Sequence, residues 1–227
     1  MQATPCNLSD CFLCRTCLPE WKAALAVHKE NRAFKKGRTI FREGDPVQGI
    51  FFVYSGSVKI HKQWTAGKEL ILRFARKGDI VGHRGLGDAR YPISATALED
   101  TVLCFIPAEF LEATLRVNAG FTYELLQFYV SELQRAEKRM RNLAHMEVKG
   151  RIADALLQIA EVYGRGEDGF IPIDITRQDI ASYAGTTYET VFKFLTGLAA
   201  TGHITTAGKR FRVDDRAALQ RFIVNDL

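Results

Sequence analysis

Apolar and polar positions along this chain change rhythm from segment to segment. From about Phe34 to Ile106 they alternate in short runs: Thr39–Arg42, Gly49–Tyr54, Ser57–His61, Leu70–Ala75, Ile80–Gly82, Ile93–Ala97 and Thr101–Ile106. Alternation with period two marks strands with one buried face. Gly37, Gly44-Asp45, Ser55-Gly56, Gly67, Lys77-Gly78-Asp79 and Gly85–Asp88 supply the turns between them. Short strands at this spacing predict an antiparallel barrel or jelly roll. Pro107–Leu115 follows as a short helix opened by proline.

From about Phe121 to Ala144 the period lengthens. Leu126, Val130, Leu133, Ala136, Met140, Leu143 and Ala144 recur at steps of three and four, with Gln134, Arg135, Glu137, Lys138, Arg139 and Arg141 on the opposite face. An apolar seam in polar surroundings predicts a helix that pairs with another helix. Leu126, Val130, Leu133, Ala136, Met140 and Leu143 are the candidate dimer contacts. Glu147–Tyr163 is a second amphipathic helix, and Phe170–Ile175 alternates like a strand.

Helix, glycine turn and helix come next. Thr176 predicts an N-cap with Asp179 closing a capping box, Gly185 the turn, and Thr186 or Thr187 the cap of a further helix. Val191, Phe194, Leu195 and Leu198 form that helix's apolar face. Gly202–Val213 reads as a β-hairpin turning at Ala207-Gly208. Together these predict a winged helix-turn-helix. Lys193, Lys209, Arg210 and Arg212 are expected to cluster with Arg177, and cations, hydroxyls and helix N-termini are what phosphate contacts need.

At 227 residues the chain has room for two modest domains, and its net charge of +5 permits a polyanionic partner. Its apolar runs are too short to span a bilayer, and Met1–Asp10 lacks signal-peptide architecture, so a cytoplasmic location without membrane contact is expected. Four of the five cysteines, Cys6, Cys11, Cys14 and Cys17, stand within the first seventeen residues, and Cys104 is isolated downstream. In a reducing compartment such a cluster points to metal before disulfides. The C-x2-C-x2-C spacing of Cys11, Cys14 and Cys17 suits zinc or an Fe–S cluster, with Cys6 or Cys104 as fourth ligand. A zinc or redox enzyme is the rival class, but no Ser/His/Asp or paired-carboxylate constellation accompanies the cysteines. His28, His61, His83, His145 and His203 are scattered without metal spacing and read as solvated or satisfied side chains.

The segments KKGRTIFREGDPVQGIFFVYSGSVKI and ARKGDIVGH carry the glycine pattern of the cyclic-nucleotide-binding jelly roll. From Cys11 to the C-terminus the chain resembles the CRP/FNR family of bacterial transcription regulators. The resemblance implies an α+β chain. Its parts would be an N-terminal cysteine-rich segment (1–33), a jelly-roll sensor (34–116), a dimerisation helix (117–147) and a winged helix-turn-helix (148–227). Nucleotide-binding members place Glu after the GD-x-x-G turn and Arg in an Arg-Ser/Thr-Ala step. Here those positions are His83 and Ile93 of Ile93-Ser94-Ala95, and Arg84 and Arg90 lie outside the motif. No cyclic nucleotide is therefore expected.

Leu98–Phe110 (LEDTVLCFIPAEF) is instead similar to the FNR segment that carries the fourth cluster cysteine before Ile-Pro, and Cys17-Leu18-Pro19 resembles the close of FNR's N-terminal group. FNR separates its last two N-terminal ligands by more residues than lie between Cys14 and Cys17. The resemblance implies a [4Fe–4S] cluster on Cys11, Cys14, Cys17 and Cys104, sensing oxygen, nitric oxide or redox state. It also implies a homodimer on a palindromic double-stranded DNA operator, with RNA polymerase as partner. Family members read bases with E-x-x-x-R. Here that is Glu189 with Lys193, and the DNA-facing set becomes Arg177, Thr186, Thr187, Tyr188, Glu189, Thr190, Lys193 and Lys209. Tyr188 and Phe192 are unusual neighbours at reading positions.

Overall fold

The computed structural model describes residues 11–65 and 67–224, so Cys6 lies outside the described residues. In chain order the helices are α1 (Phe12–Thr16), α2 (Lys22–His28), α3 (Ala108–Val117), α4 (Ala119–His145), α5 (Val148–Tyr163), α6 (Arg177–Ala184), α7 (Tyr188–Ala200) and α8 (Arg216–Val224). The strands are β1 (Glu30–Phe34), β2 (Thr39–Phe41), β3 (Gly49–Ser55), β4 (Val58–Thr65), β5 (Lys68–Ala75), β6 (Ile80–Val81), β7 (Ser94–Ala97), β8 (Thr101–Pro107), β9 (Ile204–Ala207) and β10 (Arg210–Val213). Two compact units result, residues up to 63 with 73–134, and 64–72 with 135–227.

Two four-stranded sheets, ordered β1-β8-β3-β6 and β2-β7-β4-β5, form the jelly roll. β1 escapes the alternation test because Glu30, Asn31 and Arg32 are polar. Antiparallel pairing with β8, from Glu30 opposite Phe105 to Phe34 opposite Thr101, is what makes it a strand. β3 is buried on both faces. Phe51 turns towards the other sheet, its ring 5.8 Å from Phe41 and 5.0 Å from Phe105. The alternate residues Ile50 and Phe52, with Cys104 and Ile106 of β8, join Leu13, Leu25, Leu111, Phe121 and Leu125 in a separate helical core. A Cβ at Gly49 would stand 2.1 Å from the Ile106 carbonyl oxygen, so this close approach of β3 to β8 demands glycine.

In the second unit α5 packs against α6 and α8. Phe170–Ile175 forms no strand. Ile171, Ile173 and Ile175 are buried as the alternation requires. Yet only the Ile171 and Ile175 amides bond the hairpin, to Phe211 at 3.0 Å and Lys209 at 3.2 Å. Two bonds fall short of a ladder, and Pro172 within the run brings no donor. Among the described residues no helix is long and apolar enough to cross a membrane.

Candidate nucleic-acid interface and cysteine cluster

The turn between α6 and α7 is built from local hydrogen bonds. Thr176 Oγ1 accepts the Asp179 amide at 3.0 Å, and Asp179 Oδ2 accepts the Thr176 amide at 3.1 Å, completing the capping box. Gly185 takes the left-handed conformation at φ 65°, and a Cβ there would meet Leu143 Cδ2 at 2.8 Å. Arg151 clamps the same turn, donating to the Ala184 carbonyl at 3.0 Å. Thr187, not Thr186, caps α7, its Oγ1 accepting the Thr190 amide at 3.3 Å.

Burial of Val191, Leu195 and Leu198 turns Tyr188, Glu189, Phe192 and Lys193 to solvent. Thr187 and Lys209 are exposed, while Thr186, Thr190 and Arg177 are half-buried. The expected cation cluster is split. Arg210 pairs with Asp168 at 2.7 Å and Arg212 with Asp214 at 2.5 Å, so both are engaged within the unit. Arg177 lies 5.7 Å from the Phe192 ring centroid, and its Nε is buried without a hydrogen-bond partner. The Tyr188 and Phe192 rings stack at 6.3 Å with 17° between their planes. Their spacing of four is the signal for that pair, since such side chains meet on a helix.

Along α4, Leu126, Val130, Leu133 and Met140 are between 43 and 62% exposed. Ala136 is half-buried, as is Leu143, which packs on the Gly185 turn. Tyr123, absent from the sequence-derived seam, is exposed as well. Large apolar side chains in one stripe on a helix otherwise polar outside mark an interaction surface.

The cysteines come together from distant parts of the chain. Cys11, Cys14, Cys17 and Cys104 are all buried, none in a disulfide, in the core that holds the start of α4. Cys11 caps α1, its Sγ accepting the Cys14 amide at 3.4 Å. The Cys14 side chain also hydrogen-bonds Cys11 and, against the opposing effect of burial, draws its thiol down to about 7. Burial pushes the Cys17 thiol up. Among the described residues no three His, Cys, Asp or Glu side chains converge ready to hold a metal ion. Donor number and donor chemistry match a four-thiolate centre, and all four cysteines line one core, though their sulfurs do not converge on a point here.

Asn118 is the residue the sequence reading missed. Fully buried between α3 and α4, its Oδ1 accepts the Leu18 amide at 2.8 Å and faces Cys17 Sγ at 3.5 Å. Trp21 Nε1 donates to Thr114 Oγ1 at 2.9 Å, and Phe12 packs on Phe121 and Phe128. A lone asparagine between helices carries no signal of such a role.

His83 corrects the reading of the histidines. It is 2% exposed with neither ring nitrogen hydrogen-bonded. Burial, then the Arg73 and Arg84 charges, hold it well below its ordinary pKa. Glu132 of α4 approaches it at 3.8 Å, and the same carboxylate meets Arg84 at 3.5 Å and Arg73 at 3.7 Å. Tyr129 donates to the His83 carbonyl, while Arg90 is spent on the Gly44 carbonyl at 2.6 Å.

Residues 31–118 match the cyclic nucleotide-binding domain family, and residues 150–222 the Crp-like helix-turn-helix domain. The chain is 31% identical to the transcriptional activator protein anr of Pseudomonas aeruginosa, over 94% of this chain and 91% of that protein. Among solved structures it is similar to FixK2 of Bradyrhizobium japonicum, with a TM-score of 0.77 at 24% identity over 86% of this chain and 96% of that one. A CRP/FNR-family transcriptional regulator of Thermus thermophilus superposes with a TM-score of 0.70 at 26% identity, covering 87% of this chain and all of its own. The chain therefore belongs to the CRP/FNR family of transcription regulators, on its FNR-like branch: a dimer-forming, DNA-binding protein and not an enzyme.

Proposed function

We propose that this regulator binds a palindromic operator as a homodimer and adjusts its affinity to oxygen, nitric oxide or redox state. Cys11, Cys14, Cys17 and Cys104 would hold a [4Fe–4S] cluster, which supplies a redox-active centre when bound. The observation that carries this reading is the burial of these four thiols, from both ends of the sensor segment, in one core with the start of α4. Asn118 and Thr114 hold the cysteine-bearing segment against α3 and α4. Packing around the thiols and the setting of the dimer helix are therefore one problem in side-chain arrangement. A cyclic nucleotide is not part of the proposal: Arg84 and His83 face the Glu132 carboxylate, and Arg90 is bound to backbone.

On the DNA side, Glu189 and Lys193 would read base edges, Glu accepting from cytosine N4 and Lys reaching guanine O6 and N7. Arg177, Thr186, Thr187, Thr190 and Lys209 would position the helix on phosphates, with Tyr188 at its leading end. Leu126, Val130, Leu133, Ala136, Met140 and Leu143 would form the dimer seam, and RNA polymerase is the partner through which transcription responds. Two half-sites about one helical turn apart must be met together, so a small change in the dimer switches affinity.

Anaerobic purification with iron, sulfide and zinc analysis, followed by operator binding before and after air exposure, tests the sensor. Iron and sulfide with air-dependent binding is the expected result. A colourless, zinc-containing and air-indifferent protein overturns it.

A further inference from the structure

The α7 surface carries two parallel tracks of different chemistry. Glu189 and Lys193 form a charged track. One residue away, about 100° round the helix, Tyr188 and Phe192 form an aromatic one. Both rings are nearly half exposed and stack on one another, and Arg177 from the first turn of α6 lies over Phe192. Val191, Leu195 and Leu198 already fill the core side of this helix, so folding does not require an aromatic at either position. Ring–ring and ring–guanidinium contacts restrict both side chains to one pose, which lowers the ordering cost of binding.

We propose that Tyr188 and Phe192 form an apolar reader of thymine 5-methyl groups in the operator. Phe192 is the specificity-determining member of the pair. The argument is one of chemical matching. A phenyl ring has no donor or acceptor, and among natural major-groove edges only thymine offers an apolar group. Residues four apart on a helix are separated by about 6 Å along its axis, which compares with about two base-pair rises of 3.4 Å. The pair therefore suits two positions about two base pairs apart, beside the bases that Glu189 and Lys193 reach. Tyr188 keeps a hydroxyl for phosphate or water at the outer end, while Phe192 presents only carbon.

This inference rests on the placement of α7 as the recognition helix. The full-length protein first selects its operator from random duplex DNA. Each thymine of that operator is then replaced singly by deoxyuridine, which removes the methyl group and leaves every hydrogen-bonding edge intact. Wild-type protein should lose about fourfold in affinity at one or two positions per half-site, the value of one buried methyl group. At the position that Phe192 covers, Phe192→Ala should bind methylated and demethylated sites equally, and Phe192→Leu, which keeps apolar bulk, should retain part of the difference. Phe192 is exposed, so thermal unfolding of both variants should match wild type. Wild-type indifference to every deoxyuridine, or the same loss in Phe192→Ala, overturns the proposal. An operator preference unchanged in Glu189→Ala and Lys193→Ala would instead remove the recognition-helix placement itself.

Discussion

Glu189 and Lys193 stand exposed on α7, four residues apart, with the helix N-terminus beside them. Each should contribute about 1–3 kcal/mol of base discrimination. Alanine at either is expected to weaken operator binding and broaden the bases accepted at one half-site position, as read by anisotropy titration over single-base operator variants. Lysine cannot present arginine's planar fork, so its guanine preference should be the looser of the two. His83 makes a different prediction, about stability. Its folded-state pKa lies below the ordinary 6.5, so the unfolded chain binds the proton first. The stability in question is complete above about pH 6.5 and falls as pH drops from there towards the folded value, by at most about 1.4 kcal/mol per pH unit. Burial, then the Arg73 and Arg84 charges, hold the residue there, with Glu132 and Tyr129 also close by. Urea midpoints of wild type and His83→Phe should diverge between about pH 7 and pH 5, with the wild type falling faster. Parallel midpoints would contradict the assignment.

At the scale of the element, α4 exposes five large apolar side chains, Tyr123, Leu126, Val130, Leu133 and Met140. Phe121 and Leu125 point inward and are buried, while Leu126, Val130, Leu133 and Met140 are open. Met140→Glu or Leu133→Glu should therefore leave the monomer folded and split the dimer, because an unpaired charge buried in a seam costs several kcal/mol. Sedimentation velocity reads the outcome directly, and a Met140→Glu protein that still sediments as a dimer would move the interface elsewhere. The helices and turns around α4 were legible in the chain because their signals are local. The Thr176–Asp179 capping box, Gly185 and the exposed apolar stripe of α4 each follow from short-range spacing. β1 escapes a reading of the sequence, and Phe170–Ile175 is misread by it, because pairing decides a strand. Glu30–Phe34 becomes one through β8, and Phe170–Ile175 finds only two bonds to the hairpin.

For the molecule as a whole, the test is whether the buried thiols govern DNA binding. Cys104→Ser replaces a buried sulfur in β8 with a near-isosteric hydroxyl, so the jelly roll should persist with a loss of about 1–3 kcal/mol for burying the more polar group. The variant is expected to lose bound iron and sulfide, and its operator affinity should no longer differ between anaerobic and aerated samples. Full metal content with unchanged air response would return Cys6 to consideration as the fourth ligand.

By itself the sequence determined the class of this protein. Period-two alternation with glycine turns, a three-four apolar seam and a capped helix-glycine-helix are local patterns, and local patterns constrain backbone directly. It also determined which types of side chain are available for metal and for DNA. Tertiary structure alone decided how those side chains are used. Folding of β8 against the N-terminal helices brings Cys104 into the core of Cys11, Cys14 and Cys17. The same packing buries Asn118 beside Cys17 and strands His83 among Arg73, Arg84 and Glu132. It divides the basic residues of the winged domain into those engaged with Asp168 and Asp214 and those left facing solvent. Such pairings join residues far apart in the chain, and their energies depend on burial and distance, neither of which is encoded in the spacing of any short motif.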